Sequence, residues 1–133
     1  MKKILYILIL VISPLSTQAQ DFKIILFGDS LMAGYGLDSP NHLDKFLEQD
    51  LLKLGLRSKV TNASVSGDTS NTGLNRLNWS LQDDYDLFIL GLGANDMLRG
   101  IPPEITKNNL SASGILIFGS QTLIFTVRIP LAD

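Results

Sequence analysis

A chain of 133 residues in which 45% of the side chains are hydrophobic and 18% charged holds at most one domain and is too apolar to remain disordered. It contains no cysteine, which excludes disulfides and thiol chemistry. Its formal charge is −2, and no basic run extends beyond isolated pairs, so no nucleic-acid surface is expected.

The N-terminus has three parts: Met1-Lys2-Lys3, an apolar run over Ile4 to Ile12, and Ser13-Pro14 leading to Thr17-Gln18-Ala19. That pattern predicts a secretory signal peptide over residues 1–19, with small residues where cleavage after Ala19 is read and a domain over residues 20–133. The run is too short to span a bilayer of roughly 30 Å, so no stable membrane span is expected after cleavage. Cleavage takes Lys2 and Lys3 from the 11 basic residues, leaving 9 against 13 acidic and a formal charge of −4.

Lys23 to Phe27 (K-I-I-L-F) is an apolar, partly β-branched run closed by Gly28, which predicts a buried parallel strand. The strand leads into Gly28-Asp29-Ser30. A serine hydroxyl becomes a nucleophile only with a base, oxyanion donors and exposure at a strand's C-terminal edge. Ser30 is so placed, and Gly34 and Gly36 would let the backbone pass close to a substrate. The stretch differs from the nucleophile elbow of α/β-hydrolases, since Met32 stands where that motif has glycine.

Ser39-Pro40-Asn41 predicts a helix start, followed by Leu43, Phe46, Leu47, Leu51 and Leu54 at helical spacing and a stop at Gly55. Arg57 to Ala63 reads as a weaker strand, running into the small polar loop from Ser64 to Ser70. Asp68, Thr69 or Ser70 can cap the next helix, with Leu74, Leu77 and Leu81 on one face and Trp79 off it. Asp86 to Leu90 (D-L-F-I-L) is another buried-strand run, ending in Gly91-Leu92-Gly93-Ala94-Asn95-Asp96. Pro102-Pro103-Glu104 opens a further helix.

Three strand-loop-helix units in succession imply a parallel sheet with right-handed crossovers, and all three strand-end loops then fall on one edge. Ser30, Gly67 and Asn95 are expected there together: a hydroxyl to attack an acyl carbon, backbone N–H groups at Ser30 and Gly67, and an amide side chain to hold an oxyanion. Taken singly, Gly67 reads equally as a tight turn and Asn95 as a cap.

These blocks resemble those of the SGNH, or GDSL, hydrolase superfamily. Gly28-Asp29-Ser30-Leu31 is similar to its first block, Gly67 within N-A-S-V-S-G-D-T-S to its second, and Gly93-Ala94-Asn95-Asp96 to its third. The wording resembles most the periplasmic branch of thioesterase I, arylesterase and lysophospholipase L1-like enzymes. The resemblance implies a flavodoxin-like, three-layer α/β/α fold with a parallel sheet. It also implies an exported hydrolase of small-molecule acyl esters or thioesters that uses no metal and no cofactor. Ser30 would be the nucleophile, with Gly67 and Asn95 in the oxyanion hole.

The family takes its general base from a late D-x-x-H, and no such sequence occurs here. His42 is the only histidine, with Ser39 three residues before it, and it reads as a surface histidine at the start of a helix. Beyond Leu110, Ser111 to Gly114 and Ile115 to Phe118 (I-L-I-F) abandon helical periodicity, while Thr122 to Pro130 resembles the fourth strand. Two explanations fit: a piece cut after about the fourth strand, or a local frameshift. The general base is therefore unassigned, and little activity is expected of these residues alone. The alternatives are a non-catalytic ligand-binding remnant and a carbohydrate esterase of the same superfamily. A nucleotide-binding domain would share the sheet, but G-x-G-x-x-G is missing after the first strand. Oligomeric state is left open.

Overall fold

The computed structural model of the chain describes residues 21–118 and 123–126. The expected signal peptide and the stretch after Thr126 lie outside the described residues. Four parallel strands form one sheet: β1 (Phe22–Gly28), β2 (Ser58–Asn62), β3 (Leu87–Gly91) and β4 (Leu123–Thr126), in the order β2-β1-β3-β4. Between them come α1 (Ser30–Ala33), a 3₁₀ turn (Ser39–Asn41), α2 (Leu43–Lys53), α3 (Ser70–Ser80), α4 (Ala94–Leu98) and α5 (Pro103–Phe118). This is the flavodoxin-like arrangement, in which the strand order reverses between β1 and β3.

The apolar run of β1 is continuous because both of its faces are covered. Ile25 and Phe27 join Leu77, Phe88, Leu90, Leu92 and Ile117 in a core under α3 and α5. Ile24 and Leu26 join Met32 and Val60 on the other face, where Leu47 and Leu51 of α2 pack against them. Helix α3 starts as a capping box, in which the Thr69 hydroxyl accepts from the Thr72 N–H and the Thr72 hydroxyl from the Thr69 N–H. Leu77 is fully buried on its inner face, and Trp79 is exposed.

Three expectations need correction. Ser39-Pro40-Asn41 forms a 3₁₀ turn, and α2 begins only at Leu43. Its packed stripe is Asp44, Leu47, Glu48 and Leu51, while Leu43, Phe46 and Leu54 are exposed. Glu48 belongs on that stripe because α2 lies along the edge strand, where Glu48 Oε1 accepts from the Val60 N–H at 2.8 Å.

Helix α5 does not stop near Leu110 but runs to Phe118. Leu110, Ser113 and Ile117 make a helical stripe within the apparently irregular stretch, with Ser113 and Ile117 buried and Ile115 exposed. The Ser113 hydroxyl can be buried because it donates to the Asn109 carbonyl one turn back, at 2.9 Å.

Candidate active site

Strand β1 ends where it can touch β3 closely. A Cβ on Gly28 would stand 2.4 Å from the Gly91 carbonyl oxygen, so only glycine fits. The Asp29 N–H then donates to that same carbonyl at 3.3 Å, and Asp29 caps α1, its Oδ1 accepting from the Leu31 N–H at 3.0 Å. Ser30 is the first residue of this single helical turn and is partly exposed. Neither its hydroxyl nor its N–H has a hydrogen-bond partner among the described residues.

The loop after β2 is fastened to the serine turn. The Val65 N–H donates to the Gly28 carbonyl at 2.9 Å, and Asn62 Nδ2 donates to the Met32 carbonyl at 2.9 Å. Gly67 follows, exposed and in the left-handed region at φ 89°. Its N–H likewise finds no acceptor among the described residues.

Helix α4 and its C-cap residue Arg99 grip this loop through three residues. Asn95 Nδ2 donates to the Asp68 carbonyl at 2.9 Å, Arg99 Nη2 to the Gly67 carbonyl at 3.0 Å, and the Asp96 carboxylate accepts from the Ser70 N–H at 2.7 Å and from the Ser70 hydroxyl. Asp96 is almost fully buried, and Thr106 of α5 also donates to it, at 3.1 Å. The serine turn, the Gly67 loop and the Asn95 turn thus meet at one edge of the sheet.

Three carboxylates lie beneath that edge: Asp29, Asp68 and Asp96, all buried. Burial pushes the Asp29 carboxyl above its usual range; the Leu31 N–H offsets part of this, and the charges of Asp68 and Asp96 add to it. Among the described residues, one cation reaches the group. Arg76 Nε donates to Asp68 Oδ2 at 2.6 Å.

Arg76 and Asp96 escaped the sequence reading, and Asp68, expected only as a possible helix cap, is instead paired with Arg76 while Thr69 caps the helix. Asp96 was visible only as the letter after Asn95. Arg76 carried one signal: it is the sole charged residue in α3 (S-N-T-G-L-N-R-L-N-W-S). The role expected of Gly34 needs correction. Its open side is filled by the His42 ring, where a Cβ would stand 2.6 Å from Cδ2. His42 Nε2 lies 3.1 Å from the Leu37 carbonyl oxygen, so the imidazole is half-buried as a brace for the loop after α1.

Among the described residues, no group of three or more His, Cys, Asp or Glu could hold a metal ion, and no helix is long and apolar enough to cross a membrane. A groove of about 360 Å³, lined by Lys23, Lys59, Thr61 and residues 82–85, includes none of Ser30, Gly67 or Asn95.

The chain is 40% identical over 118 residues to an arylesterase of Vibrio mimicus, an alignment covering 86% of this chain and 58% of that protein. It is 35% identical over 126 residues to thioesterase 1/protease 1/lysophospholipase L1 of Escherichia coli K12, covering 92% and 59%. The chain therefore spans less than two thirds of the length of these curated relatives. Among solved structures, AlinE4, an SGNH-hydrolase family esterase, superposes with a TM-score of 0.80 at 37% identity, covering 86% of this chain and 63% of that one. The family model of the GDSL-like lipase/acylhydrolases matches residues 26–127, so the chain belongs to that family.

Proposed function

We propose that this chain carries the nucleophile and oxyanion half of an exported serine hydrolase acting on small acyl esters or thioesters, of the arylesterase, thioesterase or lysophospholipase class. One observation carries the reading. The Ser30 and Gly67 N–H groups lack acceptors among the described residues, and Asn95 commits one amide hydrogen to Asp68 and keeps the other. Donors left open beside an unpartnered hydroxyl are what a tetrahedral oxyanion requires.

In the proposed reaction Ser30 Oγ attacks the acyl carbon, its proton passes to a base, and the carbonyl electrons move onto the oxygen held by Ser30, Gly67 and Asn95. Collapse expels the alcohol or thiol and leaves an acyl-Ser30 ester, which water hydrolyses with return of the proton. The 133 residues contain no D-x-x-H to act as that base, and His42 is held at Gly34 and Leu37. Turnover by these residues alone is accordingly expected to be roughly 10⁴- to 10⁶-fold below that of a complete triad.

Mass spectrometry after exposure to a p-nitrophenyl ester tests the reading, since slow deacylation should leave one acyl group on Ser30. Acylation elsewhere, or unchanged in Ser30→Ala, would sink it. The alternative, a non-catalytic acyl-ligand binder, predicts saturable affinity that survives Ser30→Ala without any acyl-enzyme. Export by a cleaved N-terminal segment predicts a mature protein beginning at Gln20, which N-terminal sequencing of the secreted chain would read.

A further inference from the structure

We propose that Arg76 is a positioning residue for the oxyanion site, setting the spacing between the Ser30 and Gly67 amides; this rests on the reading of those groups given above. The guanidinium extends from the middle of α3 to three acceptors, one at the end of β1 and two on the loop after β2. Nη2 donates to the Gly28 carbonyl at 3.2 Å, Nη1 to the Ala63 carbonyl at 2.7 Å, and Nε to Asp68 Oδ2 at 2.6 Å. Gly28 lies two residues before Ser30, and Asp68 directly follows Gly67. Ala63 is the root of the loop between them.

The plane of the fork is itself fixed. It stacks at 3.8 Å over the ring of Phe27, a side chain with no exposure. The Gly67 loop is otherwise held on its far side by Asn95 of α4 and the following Arg99, and on the near side by the Val65 N–H at its root. Arg76 supplies the tie from the serine turn to the residue beside Gly67. A lysine would keep the charge opposite Asp68, but it has neither the planar fork nor the stack.

The test uses a p-nitrophenyl alkylphosphonate with imidazole added as the base. Ser30 Oγ bonds to phosphorus, p-nitrophenolate leaves, and imidazole takes the hydroxyl proton. In Arg76→Lys the maximal labelling rate per folded molecule should fall about 100-fold, the loss expected of a misplacement near 1 Å, while the half-saturating probe concentration stays unchanged. The Ser30 and Gly67 amide resonances should shift as well, a readout that needs no reaction. Either readout unmoved in Arg76→Lys overturns the inference while leaving the hydrolase reading intact. An unsubstituted chain that does not label at Ser30 overturns both.

Discussion

Asn95 donates its side-chain amide to the backbone carbonyl of Asp68, 27 residues earlier in the chain, at 2.9 Å. One hydrogen of the amide is thus used to orient the other. Asn95→Ala removes a proposed oxyanion donor together with a loop contact, so Ser30 labelling should slow by about 10²- to 10³-fold, while stability falls by about 1 kcal/mol. Labelling kinetics and urea unfolding on the same samples separate the two effects. A labelling rate equal to that of the unsubstituted chain would remove Asn95 from the site.

Asp96 is the structural anchor of the same contact. Its buried carboxylate takes the Ser70 N–H, the Ser70 hydroxyl and Thr106 Oγ1, and Asn109 Nδ2 donates in turn to the Ser70 hydroxyl at 2.9 Å. Asp96→Ala leaves these donors without their acceptor, and a loss of about 3 kcal/mol is expected. Asp96→Asn keeps one acceptor oxygen and should lose less. Unfolding midpoints in urea order the three proteins, and an alanine variant as stable as the parent contradicts the network.

The legible parts of this fold were those decided by local pattern. Ile24 to Phe27 and Leu87 to Leu90 are apolar without alternation, as strands covered on both faces must be, and Leu77 and Leu81 of the expected stripe marked the inner side of α3, while Leu74 is not part of that core. Helix α2 misled because two apolar stripes overlap in it. The crossover geometry, which no local window contains, turned Leu47 and Leu51 inward and left Leu43 and Phe46 out. The end of α5 misled because a buried serine breaks an apolar count, although its hydroxyl is satisfied within the helix.

Of the candidate site, Ser30, Gly67 and Asn95 were found by position at strand ends. The residues holding them were not. Arg76 meets Gly28 across 48 positions and Asp96 meets Ser70 across 26, pairings that only the folded sheet brings about.

Gly28→Ala tests the close approach of β1 and β3. The added Cβ would meet the Gly91 oxygen at 2.4 Å and Met32 side-chain atoms at 2.5 and 2.9 Å. Backbone cannot yield there as a flexible side chain would, so a loss of about 2 kcal/mol or more is expected. For a domain of this size that lowers the melting temperature by roughly 4–8 °C per kcal/mol. The displaced Asp29 N–H should also slow labelling of Ser30, and an unchanged melting temperature would show that the strands stand farther apart.

Asp29 gives the site a pH signature. Burial and the charges of Asp68 and Asp96 raise its carboxyl above the ordinary carboxylate range, so between the unfolded value and the raised one the folded chain binds more protons than the unfolded chain. Stability linked to this group is therefore fully present below the unfolded value and is lost as pH rises through the folded one. Asp29→Asn retains an oxygen to accept the Leu31 N–H and removes the charge, and asparagine caps helices as well as aspartate does. The variant should gain melting temperature over the parent on going from pH 3 to pH 7, with the two converging at the acid end. Thermal melts of both proteins across that range make the comparison. If the parent instead gains on the variant as pH rises, the Asp29 carboxylate is favoured by its surroundings, and the carboxylates beneath Ser30 do not repel it.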